Sequence, residues 1–118
     1  MITVNVKAET LKEGIMNMTN AMVEDYTKNF GASDNNEVRE KMCKEYATGF
    51  SIKTGKKFIK VVNNGGVKAF ISMIDFGRFK MGDILKPAGW QAPALNQARG
   101  NVLSGNYAIN WTGPLYLK

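Results

Sequence analysis

The hydrophobic period of this chain changes once, near Phe50, and that change restricts the fold more than any other feature. Before it, apolar residues recur every three or four positions, as Leu11, Ile15, Met18, Met22, Tyr26 and Phe30. That spacing places them on one face of a helix. Thr10 with Glu13 three residues on is a capping-box pattern, in which the hydroxyl takes an orphan amide and the carboxylate reaches back. Gly14 interrupts the helix at up to about 1 kcal/mol relative to Ala, and Gly31 is a natural stop. A second helix is expected over 36–46, with Val38, Met42 and Tyr46 as its stripe, Ser33 or Asp34 as its cap and Gly49 as its end. The short A-S-D-N-N connection predicts an antiparallel helical hairpin. Ahead of both helices, Ile2, Val4 and Val6 alternate as a short strand.

After Phe50 the period is two. Residues 50–53 and 57–62 read as strands around a Thr54-Gly55 turn. The Asn63-Asn64-Gly65-Gly66 run then marks a hairpin, because Asn and Gly accept positive φ. A third strand is expected over 67–76, with Val67, Ala69, Ile71 and Met73 on one face and Lys68, Phe70, Ser72 and Ile74 on the other. The second and third strands are apolar on much of both faces, so at least part of the second face should be covered, with the N-terminal helices covering one side. Asp83-Ile84-Leu85 reads as a short strand, 86–92 as irregular, and 93–99 as two helical turns between Pro93 and Gly100. Tyr107, Ile109 and Trp111 form a final strand stopped by Gly113-Pro114, with 115–117 as a docked tail. The expected class is α+β: an N-terminal helical hairpin packed on a small antiparallel β-sheet or partly open barrel, in one domain spanning 1–118.

Charge divides at the same place as period. Residues 1–49 carry six basic and eight acidic side chains, a net of −2. Residues 50–118 carry ten basic ones against Asp75 and Asp83, a net of +8. A face of that sign suits nucleic acid or an acidic protein, and it equally suits plain solubility. Composition excludes much else. The chain has no His and one Cys, so His-based metal sites, Cys–His or Ser–His–Asp catalysis and intrachain disulfides are out. Two acids in the basic half are too few for a two-metal site, and no cofactor is implied. Cys43 beside Met42 reads as a small buried hydrophobe. No apolar run is long enough to span a bilayer, and residues 1–7 do not read as a signal peptide. A soluble, non-enzymatic, intracellular protein is therefore expected.

Three groups of residues stand out. Lys53, Lys56, Lys57, Lys60 and Lys68 cluster on the hairpin, where they suit phosphates or simply protect a strand edge from aggregation. Phe76, Arg78, Phe79 and Lys80, followed by Lys86, Trp90 and Arg99, interleave cations with rings, as single-stranded nucleic acid requires. Phe76 and Phe79 read as core, and Trp90 as either core or a stacking platform. Within 96–101 (N-Q-A-R-G-N), amides and a guanidinium could read a base edge or phosphate, or Arg99 could brace a loop. Nucleic-acid binding through Lys56, Lys57, Lys60, Lys68, Arg78, Lys80, Trp90 and Arg99 is the leading expectation, single-stranded or without sequence preference. The alternative is a module that binds and inhibits or redirects an acidic protein. The Met-bearing helices (Met16, Met18, Met22) offer a surface for a homodimer.

Residues 56–61 (K-K-F-I-K-V), 67–71 (V-K-A-F-I), 79–102 (F-K-M-G-D-I-L-K-P-A-G-W-Q-A-P-A-L-N-Q-A-R-G-N-V) and 111–117 (W-T-G-P-L-Y-L) carry a further signal. This block resembles a family of small tailed-bacteriophage proteins with no assigned activity, which show the same order of motifs. The resemblance leaves out the N-terminal helices. It implies a phage-encoded accessory protein acting in the host bacterial cytoplasm, with a host protein as the partner in the alternative reading and a minor virion component as a third. It implies no catalytic residues.

Overall fold

The computed structural model describes residues 2–30 and 37–114, with the backbone alone at 30 and 37–39. The class is α+β: two helices and two antiparallel sheets. The strand β1 (Ile2–Val4) leads to α1 (Leu11–Phe30) and α2 (Glu37–Thr48). Next come β2 (Phe50–Thr54), β3 (Phe58–Asn63), β4 (Gly66–Ser72) and β5 (Ile84–Leu85), which form one sheet in the order β2-β3-β4-β5. Finally β6 (Tyr107–Asn110) and β7 (Gly113–Pro114) join β1 in a second sheet ordered β1-β6-β7. The strands thus divide between two sheets and close no barrel. The last strand pairs with the first, Val4 against Tyr107 and Ile2 against Ile109. The 32–36 connection, the caps Gly31, Ser33 and Asp34, and the 115–117 tail lie outside the described residues.

The start of α1 follows its sequence signal: Glu13 N–H donates to the Thr10 hydroxyl at 3.1 Å. Ile15, Met18, Ala21 and Met22 are buried in the main core with Val61, Ala69, Ile71, Ile84, Val102, Tyr107 and Ile109. Each large side chain there contributes about 1.5–3 kcal/mol of burial. Gly14 is where α1 meets the chain most closely. A Cβ there would stand 2.6 Å from the Val102 carbonyl oxygen and 2.9 Å from its Cβ. The helix tolerates the glycine because it permits this contact.

The second helix departs from its expected stripe. Met42 is exposed, Val38 lies among the side chains not described, and Tyr46 carries the burial. Tyr46 stacks on Tyr26 of α1 at 4.2 Å, packs edge-on against Phe50, and donates its hydroxyl to the Trp111 carbonyl. Burial, and then the Asp25 charge, push its phenol up. Buried Asp25 accepts the Trp111 N–H at 2.9 Å. The hairpin turn serves α2 as well. Asn64 and Gly65 have φ of 49° and 85°, as a two-residue turn between twisted strands needs. Its neighbour Asn63 donates to the Tyr46 carbonyl at 2.8 Å, which also accepts the Gly49 N–H at 3.3 Å, tying the last helical turn to the hairpin.

Four further expectations are corrected. The register shifts between Val61 and Val62, where Val61 faces Ala69 but Val62 faces Val67. The extra residue, Lys68, turns Val67 away from the Ala69 face, so it packs on the second core cluster of Phe70, Phe79 and Leu85. Strand β4 ends at Ser72 rather than 76, because the Ser72 hydroxyl donates to the Ile74 carbonyl and the chain bends. Residues 93–99 form no helix. Their amides are taken elsewhere: Ala94 N–H by the Lys86 carbonyl at 2.7 Å and Arg99 N–H by the Ile84 carbonyl at 2.8 Å. Gly113-Pro114 does not end the last sheet but forms its third strand, with Ile109 opposite Pro114.

Two stability outcomes follow from this packing. Gly14→Ala is expected to lower stability in urea unfolding by about 1–3 kcal/mol, since overpacking outweighs the roughly 1 kcal/mol gain in helix propensity. A gain would show that Val102 yields freely. The Tyr107 hydroxyl is buried with no hydrogen-bond partner among the described residues, and burial pushes its pKa up to about 12. Tyr107→Phe is therefore expected to unfold at an equal or higher temperature. A loss above about 1 kcal/mol would show that the hydroxyl is bonded.

Candidate functional site

The four-stranded sheet has two unlike faces. One meets α1 through Ile59, Val61, Ala69 and Ile71. On the other, Lys53, Lys60, Phe70 and Leu85 stand opposite one another in register across all four strands. Cross-strand neighbours share a face. Phe58, two residues before Lys60, lies on that face too and packs edge-on against Phe70 at 6.2 Å and Phe76 at 5.6 Å. Phe76 and Phe79 bond to each other through both backbone amides, closing a tight turn that lays their rings over one end of the sheet. The reading of these two rings as core therefore agrees with their packing.

A second loop covers the other end. Ala88 and Gly89 N–H both donate to the Ala92 carbonyl, and Pro87 faces Pro93. The irregular 86–94 stretch is thus a closed excursion with Trp90 at its tip. The indole is 44 % exposed and comes to rest over the lysines of β2 and β3. Lys60 Nζ lies 4.6 Å from its ring centroid and Lys53 Nζ 6.0 Å. Lys60 Nζ also stands 5.9 Å from the Phe70 centroid. Exposed contacts of this kind contribute about 0.5–1 kcal/mol.

Beside Trp90 is a pocket of about 310 Å³ whose wall holds Lys53, Lys56, Lys57 and Lys60, floored by Phe58 and Phe70 and flanked by Gln91. It has no carboxylate in its wall. The two acids of the basic half are used in loops: Asp83 accepts from Lys80 N–H and from Asn101, and Asp75 accepts from Met81 N–H. Lys53 and Lys60 are directly opposed, and like charges so placed are destabilising. Lys86 shows similar crowding, for burial and then the Arg99 charge push its ammonium below the usual value.

The expected site residues separate into groups. Lys56, Lys57, Lys60 and Trp90 come together at this pocket and its rim. Lys68 sits at the bulge and lines no part of it. Arg78 lies over Phe79 at 5.2 Å and donates to the Leu95 carbonyl, so it borders the same aromatic cluster from the far end. Lys80 is exposed in the 76–83 loop. Arg99 braces its loop through the Gln97 carbonyl and Asn96 Oδ1. Phe58, Phe70 and Gln91 were not signalled by sequence. The register Lys60–Phe70 could have indicated Phe70, whereas Gln91 depends on the loop's path. Among the described residues no cluster of Cys, Asp and Glu could hold a metal ion, and no helix is long and apolar enough to cross a membrane.

The cationic rim around Trp90 has an optical consequence. Iodide is expected to quench the exposed tryptophan fluorescence much more strongly than caesium, and Trp90→Phe to remove that difference. Equal quenching by both ions would show that the lysines do not dominate the field at the indole.

A family model of unknown function, DUF7717, matches residues 2–117. No curated protein and no solved structure matches the chain. The match runs through both helices and both sheets. The chain belongs to the DUF7717 family, a family of unknown function.

Proposed function

We propose that this is a non-enzymatic protein that binds single-stranded nucleic acid on the basic face of its four-stranded sheet. The observation that carries this reading is the meeting of an exposed indole with the lysine-walled pocket, with Lys53 and Lys60 opposed beneath it. An anion at that point relieves the repulsion between the two lysines. A base has the Trp90 face to stack on, at roughly 1–3 kcal/mol. Lys56 and Lys57, in the turn between β2 and β3, extend the cationic track along a backbone. Arg78 and Lys80, in the 76–83 loop, would continue it, with Lys68 and Arg99 as further phosphate contacts. The likeness of residues 56–117 to tailed-phage proteins supports a site of action inside an infected bacterium, with the two helices as a hairpin that backs the sheet and offers Met16 and Met42 for self-association.

Fluorescence anisotropy with labelled oligothymidylate, oligouridylate and duplex DNA across a salt series tests the reading. Micromolar binding with a preference for single strands is expected. Four phosphate contacts would give a log–log salt slope of about −3. Trp90→Ala is expected to weaken binding roughly 5- to 150-fold. Lys56/Lys57/Lys60→Glu, folded by circular dichroism, is expected to abolish it. The reading fails if that triple variant binds as the parent does.

A further inference from the structure

Strand β2 forms an outer edge of the four-stranded sheet, with β3 as its only strand neighbour among the described residues. Asn64 N–H donates to the Gly49 carbonyl and Gly55 N–H to the Phe58 carbonyl, so both glycines bond inward to the β3 side. Antiparallel bonding alternates residue by residue. The amides and carbonyls of Phe50, Ile52 and Thr54 therefore point outward, away from β3. Strand edges of this kind are templates for a further strand unless something blunts them.

The two faces of β2 differ in chemistry. Below the edge, the side chains of Phe50, Ile52 and Thr54 line an apolar groove of about 430 Å³ with Ile15 and Met16 of α1. Helix α1 does not close it: Ile52 is 46 % exposed and Met16 54 %. Above the edge, Lys53 opens onto the pocket walled by Lys56, Lys57 and Lys60. An added strand keeps the alternation of β2. Its residues opposite Phe50, Ile52 and Thr54 fall into the apolar groove, and those opposite Ser51 and Lys53 face the lysines.

We infer that β2 is a docking edge for an extended segment of a partner protein in which apolar and acidic residues alternate. Backbone bonds to Phe50, Ile52 and Thr54 supply affinity, the groove takes the apolar side chains, and the lysine wall selects acidic ones. A second copy of this chain is the wrong occupant. Pairing β2 with itself would bring two lysine walls together with no acid between them. This inference does not rest on the nucleic-acid reading: it shares the lysine wall with it, but the backbone edge and the apolar groove are its own.

The test uses the intact protein and a synthetic peptide, acetyl-Glu-Val-Glu-Ile-Glu-Val-Glu-amide, followed by amide NMR. The largest shifts and the strongest slowing of hydrogen exchange are expected at Phe50, Ile52 and Thr54. A peptide with Lys in place of every Glu is expected to bind at least tenfold more weakly. Ile52→Pro removes an outward amide while leaving the bonds to β3, and is likewise expected to weaken binding at least tenfold. Should that variant not fold, two peptides N-methylated at alternate residues replace it: one is expected to lose binding and the other to keep it, because only one set of amides faces β2. The inference is overturned if the unmodified peptide does not bind at millimolar concentration, if the lysine peptide binds equally, or if both N-methylated peptides bind as the parent does.

Discussion

The β3–β4 hairpin is apolar on both faces, and the remaining elements are arranged around the need to cover it. Val61, Ala69 and Ile71 look one way and Phe58 and Phe70 the other. A two-stranded ribbon with such faces is not stable in water by itself. Helix α1 and the β1–β6 pair close the first face. Among the described residues loops cover the second: the Phe76–Phe79 turn at one end, Ala98 beside it, and the 86–94 excursion at the other. Because loop cover is thinner than helix cover, Lys60 and Trp90 remain partly in solvent. The candidate site is thus the part of the second face that the loops leave open.

Electrostatics follow from the same arrangement. The loops that cover the second face are held by carboxylates and amides bonded to backbone. Asp75, Asp83 and Asn101 all serve in this way, each accepting a main-chain N–H. These bonds take up both acids of the basic half, and the lysines on β2, β3 and their turn have no opposite charge in the pocket wall. Acidic side chains are abundant in the first 49 residues, yet the most deeply buried of those described, Asp25, is committed to the Trp111 amide. A charge asymmetry seen in the sequence as a property of two halves becomes a property of one sheet face.

What could be read from sequence was what local rules decide. The Thr10–Glu13 cap and the Asn64-Gly65 turn depend on atoms within a few residues of one another, and both are present. The Val61/Val62 register shift is not local: it places Lys68 against the β7 strand, where a Cβ on Gly113 would stand 2.5 Å from the Lys68 carbonyl oxygen. Residues 93–99 carry a fair helix signal, but the chain beside β5 competes for their amides and wins. Trp90 could be named a candidate from its Gly and Gln neighbours. Its place over Lys53 and Lys60 depends on a loop closed by two prolines facing each other, which no pairwise spacing shows.

Lys53 belongs to both proposed surfaces. Its ammonium lies near the Trp90 ring on the sheet face, and its backbone lies within the edge strand. A strand added to β2 with an acidic side chain opposite Lys53 would draw that ammonium outward and neutralise part of the field at the pocket. A phosphate at the pocket would draw it inward and weaken the attraction for an acidic strand. If both proposed surfaces bind, occupation of one would lower affinity at the other, and linkage would make that loss equal in both directions. Lys56, Lys57 and Lys60 share the pocket wall with Lys53, so in this scheme the coupling extends over the lysine wall. A peptide partner then tunes nucleic-acid affinity through the lysines that both ligands meet.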